Sequence, residues 1–165
     1  MTHEGAGVMA QESARGLEEK KSPLVTRNHP KLTLEGARAV VAAAERRAHE
    51  IQCPMNIAVV DEGGYLLAFS RMNGAKPSSV DVAVLKARSA ALRRAPTRPP
   101  MDGDHPNVLL ALSLAAASPT QQTPIRGGIP LVVDEQVIGA IGVSAGSEDQ
   151  DVEVAKEGAR ALEGA

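Results

Sequence analysis

The 165-residue chain is 43% apolar and 23% charged, and eighteen Lys and Arg against twenty Asp and Glu leave a net charge of −2. That balance suits an ordinary soluble globular protein and supplies no basic field to draw in nucleic acid. One Tyr, one Phe and no Trp exclude a base-stacking surface, and one Cys excludes a disulfide framework or a Cys-rich zinc centre. No apolar run reaches the roughly 18 residues of a membrane span.

Residues 1–30 carry scattered charges (Glu18, Glu19, Lys20, Lys21, Arg27) and no apolar period, so they read as a flexible N-terminal arm. An arm that wraps a neighbouring subunit is the alternative. This stretch lacks the apolar core of a secretory signal, which makes the cytoplasm the expected location. A single domain then follows over 31–165.

Order begins at Leu32. Thr33 can cap a helix, Glu35 suits its positive first turn, and Leu34, Ala37, Val41, Ala44, Ala48 and Ile51 form one apolar face that Cys53-Pro54 closes. Two short β-type runs, 55–61 and 65–71, are joined by Glu62-Gly63-Gly64, the turn chemistry of a hairpin. After a loop over Met72–Pro77, Ser78 or Ser79 opens a second helix with Val80, Val84, Ala87 and Ala91 on one stripe, ending near Arg94. The stretch 96–107, with Pro96, Pro99, Pro100 and Pro106, reads as a long loop before a short apolar helix over 107–117. Residues 129–144 form a second hairpin turning at Asp134-Glu135-Gln136. Ser147 and Gln150 then make a capping box for a terminal helix with Val152, Ala155, Ala159 and Leu162 inward. Strands joined this tightly pair antiparallel, so the expected class is an α+β sheet covered by helices rather than a Rossmann-like fold.

Phosphate-binding loops, nucleophile elbows, zinc-binding helices and paired-cysteine motifs are all absent. Of the four histidines, His3 and His29 fall in the arm and His49 lies one residue off the first helix's apolar stripe. His105 stands in Asp102-Gly103-Asp104-His105-Pro106, which is either a polar turn or the place for a general acid or base, with Asp104 beside it. No set of three or four convergent metal ligands is present. Arg126 followed by Gly127-Gly128 enters a strand, and its exposed amides can hold a carboxylate or simply turn the chain. Arg71 ends a strand before Asn73-Gly74, and on the next helix Asp81 shares a side with Leu85 and Arg88 while Lys86 shares another with Ser89. That pattern fits a charged helix surface or a cationic pocket wall.

Asn56–Ala75 (NIAVVDEGGYLLAFSRMNGA), Asp81–Ala90 (DVAVLKARSA), Gly127–Val133 (GGIPLVV), Ile138–Ser144 (IGAIGVS) and Asp149-Gln150-Asp151 occur in this order. Together these blocks, over roughly 32–163, resemble the GlcG/HbpS family, the haem-binding-protein-like domain also found at the C-terminus of PduO-type adenosyltransferases. The resemblance implies a profilin-like α/β domain, with an antiparallel sheet of about five strands flanked by helices. It also implies assembly into homo-oligomers, from dimers up to octamers. Asn73 stands where the family usually has Asp, Ser89 where Thr is common, and 96–123 departs from the haem binders.

The functional expectation is an oligomeric protein that binds haem or a small anionic aromatic or hydroxy-acid metabolite. The alternative is a cofactor-independent lyase of aromatic catabolism, similar to hydroxylaminobenzoate lyase. The ligand-binding candidates are Arg71, Gly74, Lys86, Ser89, Arg126, Gly127 and Gly128, and His105 and Asp104 are the catalytic candidates. A haem would draw its axial ligand from His49, His105, Cys53 or a methionine.

Overall fold

The computed structural model describes residues 29–163. Its elements are α1 (Leu34–Glu50), β1 (Asn56–Asp61), β2 (Leu66–Arg71), a 3-10 turn (Pro77–Ser79), α2 (Val80–Arg93), β3 (Met101–Asp102), β4 (His105–Pro106), α3 (Val108–Ala117), β5 (Gly128–Val133), β6 (Gln136–Ser144) and α4 (Glu148–Arg160). Four strands make the main sheet in the order β2-β1-β6-β5, every neighbour antiparallel, and β3-β4 form a separate two-stranded ribbon. The two hairpins read from the sequence supply all four main strands. The main sheet therefore has four strands rather than about five, and the expected long loop contains the small ribbon, folded about Gly103.

Local chemistry explains the boundaries. The Thr33 hydroxyl accepts from the Gly36 amide at 3.0 Å, while Arg47 and His49 sit in the last turn of α1, where a cation meets the negative end of the helix dipole. In the first hairpin the Asp61 carboxylate accepts from the amides of Gly63 and Tyr65, both at 2.9 Å. That turn leaves Tyr65 itself 72% exposed. The second hairpin turns on Asp134 and Glu135, both at positive φ, so the primed geometry that matches strand twist is held without a glycine. The capping box at α4 forms as read, with Ser147 accepting from the Gln150 amide and Gln150 reaching back to the Ser147 amide.

The two faces of the sheet are covered differently. Met55, Ile57, Val59, Ile141 and Val143 pack on α1 and α4 with Val40, Val41 and Val154. Ala58, Val60 and Ala140 on the opposite face meet the alanines of α2, Ala83, Ala87, Ala90 and Ala91, with Val84 packed at the margin. Here helix and sheet touch backbone to backbone. A Cβ on Gly142 would lie 2.1 Å from the Ala83 carbonyl oxygen, and one on Gly128 would lie 2.3 Å from that of Lys86. This closeness corrects the expected stripe of α2. Ala87 and Ala91 of that stripe turn inward with Ala83, Lys86, Ser89 and Ala90, while Val80 and Val84 are only half-buried, Val84 at the margin of the alanine cluster. On α4 the buried residues are Asp151, Val154, Ala155 and Gly158, with Val152, Ala159 and Leu162 half-buried at the margin.

Between Thr97 and Thr123 the chain leaves the body and returns. Thr97 exchanges two bonds with Gly128, accepting from its amide at 2.8 Å and donating to its carbonyl at 3.0 Å, and the Thr123 amide donates to the Ser89 hydroxyl at 3.3 Å. The excursion carries β3, β4 and α3, none of which packs closely against the main sheet. Helix α3 (VLLALSLAAA) has no charged residue, buries only Ala111 and leaves Leu109 78% exposed. No helix among the described residues is long and apolar enough to cross a membrane.

Candidate functional site

One end of the sheet, where β2 and β6 finish and β1 begins, collects the polar residues. Register sets Asn56 directly between Arg71 on β2 and Ser144 on β6. Alternation along β1 puts Asn56 on the same face as Ala58 and Val60, the face that α2 covers. Gly127, at φ +116°, ends the β5–β6 pairing, its carbonyl still accepting from the Val143 amide at 3.0 Å, and Arg126 stands in the bend just before it. The row reads Arg71, Asn56, Ser144 across β2, β1 and β6, with Arg126 at the entry to β5.

Asn56 is fully buried, and its Nδ2 donates to the Lys76 carbonyl at 2.9 Å. This bond fixes which end of the carboxamide is oxygen, and that oxygen has no hydrogen-bond partner among the described residues. The segment above it is held by Met72 and Met55, whose backbones bond at 3.1 Å, and by Gly74 at φ +91°. Arg71 and Lys76 are both exposed, and neither joins an ion pair among the described residues.

Beside this row lies a buried ion pair. Lys86, 1% exposed, donates through Nζ to Asp151 Oδ2 at 2.7 Å and to the Val143 carbonyl at 2.9 Å. The other Asp151 oxygen accepts from the Gly146 amide at 3.0 Å, so one pair ties α2, β6 and the start of α4 together. Burial pushes the Asp151 carboxyl above its ordinary value, against the opposing pull of the Lys86 ammonium and the Gly146 amide. Gly127 crosses directly over the ammonium at φ +116°, where a Cβ would come 3.0 Å from Nζ and 2.8 Å from the Val143 oxygen. Only glycine combines that dihedral with that approach. Its neighbour Arg126 meets Asp149 at 2.8 Å in an exposed pair.

Of the candidates read from the sequence, Arg71, Gly74, Lys86, Arg126, Gly127 and Gly128 gather at this end of the sheet. Lys86 and Ser89 do share a side of α2, and it is the buried side. Lys86 is committed to Asp151, and Ser89 holds the returning loop at Thr123. His105 and Asp104 stand exposed on the β3-β4 ribbon, and His49 is exposed on α1, across the sheet from α2. Sequence reasoning missed Asn56, Ser144 and Asp151. A polar residue opening an otherwise apolar strand was the available signal for the first.

Haem requires an apolar slot with an axial ligand at its wall. The described residues of one chain do not provide that combination. His49 and His105 lie on separate exposed surfaces, and the Met72 sulfur faces the Met55 amide in the core. A cleft of about 670 Å³ does include His29, whose Nδ1 bonds Gln136 at 2.5 Å, but its walls carry Lys31, Glu62, Arg94 and Glu135 and make no apolar slot.

Residues 32–160 match the family model described as haem degrading protein HbpS-like. Protein GlcG of Escherichia coli K12 is 39% identical over 113 residues, covering 68% of this chain and 81% of GlcG. Among solved structures, the Klebsiella pneumoniae protein ORFY superposes with a TM-score of 0.74 at 30% identity, covering 87% of this chain and 99% of ORFY. HbpS superposes with a TM-score of 0.67 at 31% identity, covering 83% and 94%.

Proposed function

The chain belongs to the HbpS-like family, and on that premise we propose that it binds a small anionic ligand among Arg71, Lys76 and Arg126. The observation that carries this reading is the pair of exposed cations, Arg71 and Lys76, without ion-pair partners among the described residues and adjoining the start of α2. Free cations beside a helix N-terminus attract a carboxylate or a comparable oxyanion. Arg126 can join them, because an exposed pair such as that with Asp149 contributes only about 0.2–1 kcal/mol and yields to a competing anion.

Haem, which the family description names, carries propionates of this kind. The described residues of one chain supply no apolar slot for its macrocycle. Assembly of several copies is part of the proposal, supported by the uncharged, outward face of α3. Binding is favoured over lyase chemistry because His105 and Asp104, the acid/base candidates, stand on a ribbon that does not pack against the sheet.

Titration of the parent and of Arg71→Ala with benzoate, lactate and haem tests the reading, the last by its Soret band. Loss of one charge-assisted bond, about 1.5–3 kcal/mol, weakens an anion that binds here by roughly tenfold to a hundredfold. If Arg71→Ala, Lys76→Ala and Arg126→Ala all bind like the parent, the site lies elsewhere.

A further inference from the structure

We propose that Asn56 and Ser144 make this anion site selective for ligands that carry a hydrogen-bond donor, a hydroxyl or an N–H, beside the anionic group. The inference rests on the cationic end being a ligand site, and it adds what that ligand must look like.

Buried polar atoms in folded proteins are nearly always partnered, so a single orphan calls for a missing donor. Among the described residues, the Asn56 oxygen is the one buried side-chain nitrogen or oxygen atom without a partner. Its orientation is not arbitrary. Turning the carboxamide over would set its oxygen against the Lys76 carbonyl oxygen in place of the present 2.9 Å N–H bond. Ala58, Val60, Ala140 and Ala83 on the same face are apolar and fully buried, so packing alone does not call for a polar residue here. Holding the Lys76 carbonyl accounts for half of the carboxamide. The acceptor half is left over.

The neighbours in register say what completes it. Arg71 on one side is an exposed cation, and Ser144 on the other, 6% exposed, places a hydroxyl beside the carboxamide. Adjacent strands lie about 4.8 Å apart, so the three residues span on the order of 10 Å across the sheet end. One strand spacing separates Arg71 from Asn56, a gap that a compact ligand of a few heavy atoms bridges with its anion on Arg71 and Lys76 and its donor on Asn56. A site built to bond a hydroxyl rejects the analogue that lacks it, since the acceptor is then left empty.

Lactate and propionate, which differ by one hydroxyl, are the probes. Both are titrated into the full chain while the backbone amides of Gly74 and Gly127 and the Asn56 side-chain amide are followed by NMR. The parent is expected to bind lactate about tenfold tighter than propionate, the effect of one satisfied acceptor. Asn56→Ala and Ser144→Ala bring the ratio toward one, whereas Arg71→Ala weakens both acids and preserves it. Far-UV circular dichroism checks that each variant folds, and Ser144→Ala, the smaller change, keeps the test decisive if Asn56→Ala does not. Equal binding of the two acids by the parent overturns the selectivity. So does a ratio that survives Ser144→Ala and any folded Asn56 variant, since a trapped water then fills the acceptor. Arg71→Ala, Lys76→Ala and Arg126→Ala variants that all bind like the parent, or no perturbation of the sheet end by either acid at tens of millimolar, overturn the anion site itself and the selectivity with it.

Discussion

Replacing Lys86 by Met keeps most of the side chain's length and removes its charge. The substitution strands the Asp151 carboxylate in a site where both partners are almost fully enclosed and only the Gly146 amide still donates to it. Breaking a buried pair on one side typically costs about 3–5 kcal/mol, which for a chain of this size lowers the melting temperature by about 6–20 °C near neutral pH. The loss should depend on pH in a definite direction. Burial already raises the Asp151 pKa above its unfolded value, and Lys86 is the main group pulling it down, so its removal drives the carboxyl higher still. A carboxyl that titrates higher in the folded state contributes stability when protonated, below the unfolded pKa, and loses that contribution as the pH rises through the folded pKa. The gap between parent and Lys86→Met therefore narrows on acidification. Adding Asp151→Asn to Lys86→Met removes the stranded charge and should recover most of the loss at neutral pH. Thermal and urea melts followed by far-UV circular dichroism at several pH values measure all three proteins. A cost below about 1 kcal/mol at neutral pH, or a double variant no more stable than Lys86→Met, would refute the reasoning.

Gly142→Ala drives a methyl group into the Ala83 carbonyl and should destabilise by about 1–3 kcal/mol through displacement of α2; an unchanged melt would mean that helix and strand are not in contact. Arg126→Ala should leave the melting temperature almost unchanged, since its exposed pair with Asp149 contributes little, while weakening a bound carboxylate about tenfold in the same titration. If α3 joins copies of the chain, Leu109→Lys with Leu112→Lys should convert the parent assembly to a smaller species in sedimentation velocity without loss of helicity. Identical sedimentation of parent and double variant would remove α3 from the interface.

The parts of the fold legible in the sequence are those that short stretches determine alone. Thr33, Glu62-Gly63-Gly64 and the Ser147–Gln150 box each end or turn an element through bonds to residues a few positions away, so their reading needed no tertiary knowledge. The inward face of α2 was not legible because alanine recurs on several sides of that helix and gives no amphipathic contrast. Lys86 then looks like a surface lysine, since the partner that permits its burial lies 65 residues on, across the sheet. The site was half legible for the same reason. Arg71 and Arg126 announce themselves as cations next to glycine turns, but only the register of β1 with β2 and β6 shows that Asn56 and Ser144 lie between them.

The exposed position of Tyr65 has a practical side. With no tryptophan in the chain and its one tyrosine 72% exposed at a hairpin, nothing that absorbs or emits strongly in the near ultraviolet reports on the core or on the sheet end. Intrinsic fluorescence will therefore follow neither unfolding nor ligand entry at Arg71. The same emptiness gives a nearly dark optical background, against which an aromatic or coloured ligand contributes almost the whole signal. A single tryptophan introduced at a half-buried site on the α1 side, away from the cation row, would then act as a lone reporter with no native emission to subtract.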